Sequence, residues 1–68
     1  MDANLFRSKM VAHGDTQADL AKVLSIGTNT LSFKISEKND FKQSEIEIIA
    51  KRYNLTADEI KEIFFNRM

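Results

Sequence analysis

The 68-residue chain has no cysteine, no proline, no tryptophan, one histidine and only two glycines. Without cysteine there is no disulfide staple and no thiolate metal site, and one histidine leaves too few ligands for a zinc-stapled fold. No apolar stretch approaches the roughly 20 residues needed to span a bilayer, and no basic segment followed by an apolar run marks a leader. The expectation is a soluble, cytoplasmic protein. An excess of either charge is also lacking: ten Lys and Arg stand against ten Asp and Glu, for zero formal net charge. That balance argues against a partner bound by bulk electrostatics. A chain this short buries only about 60% of its unfolded surface. It is expected to form a single domain over 1–68, with one modest core that must be stabilised by helix packing, helped by dimerisation.

What is present is helical periodicity. No segment alternates apolar and polar residues for long, and apolar residues recur at spacings of three and four nearly everywhere, which predicts an all-α fold of five short helices. The first covers about 4–13, burying Leu5 or Phe6 with Met10, and Gly14 supplies a left-handed turn after it. Thr16 followed by Asp19 is a capping-box variant that starts the second helix, with Leu20, Ala21 and Leu24 inward. The third spans roughly 28–35, with Leu31 and Ile35 four apart on the buried side. A polar loop over 36–40 follows, pinned to the core by Phe41. The fourth, about 43–53, buries Ile46, Ile49, Ala50 and Tyr53, and Asn54 suits a left-handed stop. Thr56 and Glu59 form a full capping box for a fifth helix that turns Ile60, Ile63 and Phe64 inward.

Within this frame, residues 16–35 have the pattern of a helix-turn-helix. The helical period breaks at Ser25, Ile26 and Gly27; Ala21 is the small residue a steep helix crossing needs, and Ile26 is an apolar plug from the connection. The second helix of the pair keeps a polar outer face. Thr28, Asn29 and Ser32 lie on one side of it with Phe33 alongside, and short hydroxyl and amide side chains there suit base-edge reading in a major groove. Between positions 22 and 44, Lys22, Lys34, Lys38 and Lys42 outnumber Glu37 and Asp40, a local excess of two positive charges in the direction a DNA-facing surface needs.

Gln17-x-x-x-Ala21, then Leu24-Ser25-Ile26, then Thr30-Leu31-Ser32-x-Lys34-Ile35 resembles the Cro and lambda-repressor family of phage and bacterial transcription regulators. Asn54 to Ile60 is similar to the family's closing segment, so the likeness runs nearly the whole chain. The resemblance implies a compact five-helix DNA-binding domain whose third helix enters the major groove of double-stranded DNA, acting as a dimer on a palindromic operator. It implies base contacts from Thr28, Asn29, Ser32 and Phe33, and phosphate contacts from Thr16, Gln17, Lys34, Lys38 and Asn39. Relatives most often have glycine where this chain has Ser25, and a capping serine where it has Gly27. They frequently carry a polar or charged residue where it has Phe33, and a threonine cap where it has Lys42.

Other constellations read as structural. His13 sits at a helix end, where a cation is favourable, with no second ligand type concentrated near it, and Glu45, Glu47, Asp58, Glu59 and Glu62 sit at helix starts or on solvated faces. No catalytic residues, metal site, cofactor or small-molecule substrate are expected. Ile63, Phe64 and Phe65 differ, because adjacent rings on one helix cannot both face the same core, and an exposed ring on a small domain suggests a homodimer contact. The rival to DNA binding is a helical protein-interaction module, anti-repressor or antitoxin-like, which Phe33 on the outer face and the zero net charge favour.

Overall fold

Three left-handed residues set the path of the chain. Gly14, Ser25 and Asn54 have φ of 74°, 58° and 52°, and each ends a helix in the same way. The N–H of the left-handed residue reaches back three positions, and the next N–H reaches back five: Asp15 to the Met10 carbonyl at 2.9 Å, Ile26 to that of Ala21 at 3.0 Å, and Leu55 to that of Ala50 at 2.9 Å. These paired bonds satisfy carbonyls that the helix end leaves open. Glycine adopts this conformation freely and asparagine with little penalty, but a serine there costs roughly 1–2 kcal/mol. Ser25 nonetheless takes the left-handed turn that relatives build with glycine, at that cost, with the half-buried Ile26 folded back onto the core.

The computed structural model describes residues 1–36 and 38–65, and Glu37 of the expected polar loop lies outside them. Five helices follow in order: α1 (Ala3–Ala12), α2 (Gln17–Leu24), α3 (Thr28–Ile35), α4 (Gln43–Arg52) and α5 (Ala57–Phe64), with no strand among the described residues. Their starts are chemically specified. Asp2 caps α1 by accepting the Leu5 N–H at 3.0 Å. Thr16 with Asp19, and Thr56 with Glu59, form reciprocal capping boxes with bonds of 2.9–3.1 Å. Lys42 opens α4 without a side-chain acceptor of its own; its N–H is taken by Glu45 Oε1 at 2.8 Å.

One core receives side chains from every helix: Phe6 and Met10, Leu20, Ala21 and Leu24, Leu31 and Ile35, Ile49 and Tyr53, and Ile63. Each large member contributes about 1.5–3 kcal/mol by leaving water. Of the pair Leu5 or Phe6, it is Phe6 that is fully buried. Phe41 does pin its loop: with Phe6 and Phe64 it forms a three-ring cluster, centroids 5.4–5.9 Å apart, joining the 38–42 connection to α1 and α5. No helix among the described residues is long and apolar enough to cross a membrane.

Candidate nucleic-acid interface

Among the helix pairs, α2 and α3 make the most extensive contact, through Leu20, Ala21 and Leu24 on one side and Leu31 and Ile35 on the other, all buried. Burying Leu31 and Ile35 fixes the roll of α3 about its axis, so the opposite face is decided by the same apolar spacing. That face carries Thr28, Asn29 and Ser32, all exposed, and Phe33, 46% exposed. Its edge is hydrogen-bonded to the loop that follows. The carbonyl of Phe33 accepts from Lys38 N–H at 2.9 Å, Asn39 N–H at 3.4 Å and Ser36 Oγ at 3.1 Å. The Lys38 ammonium stands 5.6 Å from the Phe33 ring centroid, a cation–π contact that brings a positive charge beside the polar face.

The start of α3 differs from the other four. Each of α1, α2, α4 and α5 has a carboxylate at its N-cap or in its first turn. Helix α3 begins at Gly27 with no side-chain cap bond and no acidic residue in its first turn. The partial positive charge of its N–H groups therefore has no carboxylate at the cap or in the first turn to offset it, next to Thr28 and Asn29.

The expected phosphate contacts divide. Thr16 is exposed at the cap of α2, with its hydroxyl accepting from Asp19 N–H, and Gln17 is half-buried at the first position of that helix. Lys38 and Asn39 are exposed in the loop after α3. Lys34 is corrected: it lies inside the protein, 6% exposed, where its ammonium is 3.1 Å from Glu45 Oε1 and donates to the Asp40 carbonyl at 2.9 Å, 5.8 Å from the Phe41 centroid. The reason is register, since position 34 is three beyond Leu31 and next to Ile35, on the stripe that faces the body. Glu45, expected on a solvated helix start, is its equally buried partner. The local positive excess read from the sequence is smaller in three dimensions by this neutralised lysine. Neither the burial of Lys34 nor its pairing with Glu45, eleven positions on, is expected from the sequence, since a lysine ordinarily stays in water.

The C-terminal expectation also changes. Ile63 is 1% exposed in the core, which removes it from a contact with a second chain, and Phe64 is half-buried in the three-ring cluster. Phe65, 55% exposed, keeps that role open. A further cluster went unforeseen. Arg52 grips Asp15 with two bonds of 2.7 and 2.8 Å, and the Tyr53 hydroxyl donates to the same carboxylate at 2.7 Å. The guanidinium, foremost, holds the Asp15 carboxyl down at about 2, while burial, foremost, pushes the Tyr53 phenol above its ordinary value. His13 packs on Tyr53 with centroids 5.0 Å apart. This clamp ties the turn before Thr16 and Gln17 to the end of α4. Compared with protein-family models, characterised proteins and solved structures, the chain matches none of them significantly.

Proposed function

We propose that this protein is a helix-turn-helix regulator of the lambda-repressor-like kind, cytoplasmic, which reads double-stranded DNA by laying α3 in the major groove. The observation that supports this most directly is the pairing of an exposed Thr28, Asn29 and Ser32 face with a helix start whose cap and first turn hold no carboxylate. In this reading Asn29 presents its amide to a base edge, with adenine as its natural bidentate partner, while Thr28 and Ser32 contact neighbouring bases and Phe33 offers apolar surface to a thymine methyl. Thr16, Gln17, Lys38 and Asn39 take phosphates, and Lys34 acts only by holding α3 against α4. Two copies on a palindromic operator put two reading helices about 34 Å apart, one DNA turn. Repression then follows from occupying a site that overlaps a promoter, with no enzymatic step.

Selection of bound sites from a random duplex pool tests this, with Asn29→Ala as control. The variant is expected to lose about 1–3 kcal/mol on the selected site and almost nothing on random DNA. Equal losses on both would remove Asn29 from base reading, and no selected motif would remove the proposal. A second reading, a protein-interaction module of the antitoxin or anti-repressor kind, draws on the 46% exposed Phe33 and the zero net charge. Salt separates the two, because DNA affinity falls steeply as salt rises and an interaction module has no such affinity to lose.

A further inference from the structure

The face of the molecule formed by α4 and α5 carries two adjoining hollows that the reading of DNA by α3 does not use. The larger, about 420 Å³, is walled by Phe41, Ile46, Ala50, Ile60 and Phe65, with Gln43 and Glu47 at its rim. The smaller, about 230 Å³, shares Phe41, Ile46 and Phe65 and adds Phe64 and Asp40. Phe41 is a fixed floor to both. Its ring stacks on Phe6 at 5.6 Å, meets Phe64 edge-on at 5.4 Å and has the Lys34 ammonium 5.8 Å from its centroid. An apolar cleft of a few hundred Å³, already formed and bordered by a few polar groups, is the shape that small-molecule sites take.

Charge selects the ligand. Among the described residues, the charged ones that line the two hollows are Glu47 and Asp40, both acidic and both exposed. Lys51, one turn beyond Glu47 along α4, lines a separate depression with Ser44 and Ile48. Carboxylates beside phenylalanine rings attract a cation through its charge and through the ring faces, and they repel phosphates and carboxylates. The apolar walls in turn favour a ligand whose charge is carried on a hydrocarbon body. We infer that this cleft binds a small apolar cation of the hydrophobic quaternary ammonium or phosphonium class. Its body lies against Phe41, Ile46 and Phe65, and its charge is drawn toward Glu47 and Asp40. The site belongs to helices other than α3 and stands whether or not α3 reads DNA.

Calorimetric titration of the full chain with tetraphenylphosphonium tests the inference against tetraphenylborate, an anion of nearly the same size and shape. The phosphonium is expected to bind one site per chain, about tenfold or more tighter than the borate, with amide chemical-shift changes concentrated in 40–50 and 60–65. Phe65→Ser is expected to weaken it about fivefold or more by removing a wall and a ring face. Glu47→Gln is expected to weaken it by about two- to fivefold, the effect of an exposed charge pair. Neither side chain is among those packed on the core, and helical circular dichroism is expected to be unchanged in both variants. Equal affinity for the two ions, variants that bind the phosphonium like wild type, or no heat and no shifts up to millimolar concentration would each overturn the inference. Self-association that buries Phe65 and that the phosphonium does not reverse would give the cleft to a second copy, and would overturn it as well.

Discussion

Helices α3 and α4 are both short, both amphipathic and both anchored by fully buried branched side chains, yet they turn opposite surfaces outward. Helix α3 commits its single lysine inward and leaves hydroxyls, an amide and an uncompensated N-terminus to solvent; α4 turns a glutamate inward, closes its own start with that carboxylate, and leaves isoleucine and alanine partly uncovered. The two inward charges are partners. One buried ion pair thus orients both faces, and it lets a polar surface and an apolar surface exist on adjacent helices of a very small core.

Breaking that pair is expected to have the largest effect. Lys34→Met strands Glu45 as an uncompensated buried charge and is expected to cost about 3–5 kcal/mol in urea unfolding, while Lys34→Met with Glu45→Leu recovers most of it. If the double variant is stable but loses discrimination between selected and random DNA, the pair positions α3 beyond holding the fold together. Next comes the Asp15 clamp. Asp15→Ala leaves the buried Tyr53 hydroxyl without its acceptor and is expected to cost about 1–3 kcal/mol. Because the folded carboxyl titrates at about 2 against an ordinary 3.8, its contribution is complete above 3.8 and is lost as pH falls toward 2. Asp15→Asn is therefore expected to flatten the stability–pH curve across that interval, and an unchanged acid slope would show that the pairing does not hold in solution.

The helical periods, the caps at Thr16 and Thr56, and the left-handed stops at Gly14 and Asn54 were all legible from the chain, because each depends on residues within five positions of one another. Lys34 with Glu45, and Asp15 with Arg52 and Tyr53, were not, because charged residues are normally solvated and their burial depends on partners brought close only by packing. For the adjacent rings the helical period already turns Phe64 inward beside Ile63, and the meeting of Phe6, Phe41 and Phe64 agrees with it, leaving Phe65 exposed.

Smaller changes sharpen the contrast between the helices. Ser25→Gly is expected to gain about 0.5–1 kcal/mol by relieving the left-handed serine, net of the entropy that glycine adds to the unfolded chain. A thermal melt that shows no gain would mean the turn is not strained. Gly27→Asp gives α3 the carboxylate its neighbours have. A Cβ there meets only Thr30 Oγ1 at an ordinary 3.7 Å, so the fold accommodates it, with a gain of a few tenths of a kcal/mol. DNA affinity is expected to fall, most at low salt, since the new charge sits where a phosphate approaches. If affinity is untouched, the start of α3 does not face DNA.

By itself the sequence determined that this protein is five short helices, to within a residue or so where each begins, and the outward turn of Thr28, Asn29, Ser32 and Phe33 on α3, because these follow from backbone capping and from a period of 3.6 residues. Only the tertiary structure decided which charges are inside and which partners meet them there. Those outcomes depend on the distance between residues far apart in the chain, and for a buried charge that distance sets whether desolvation is offset by a partner.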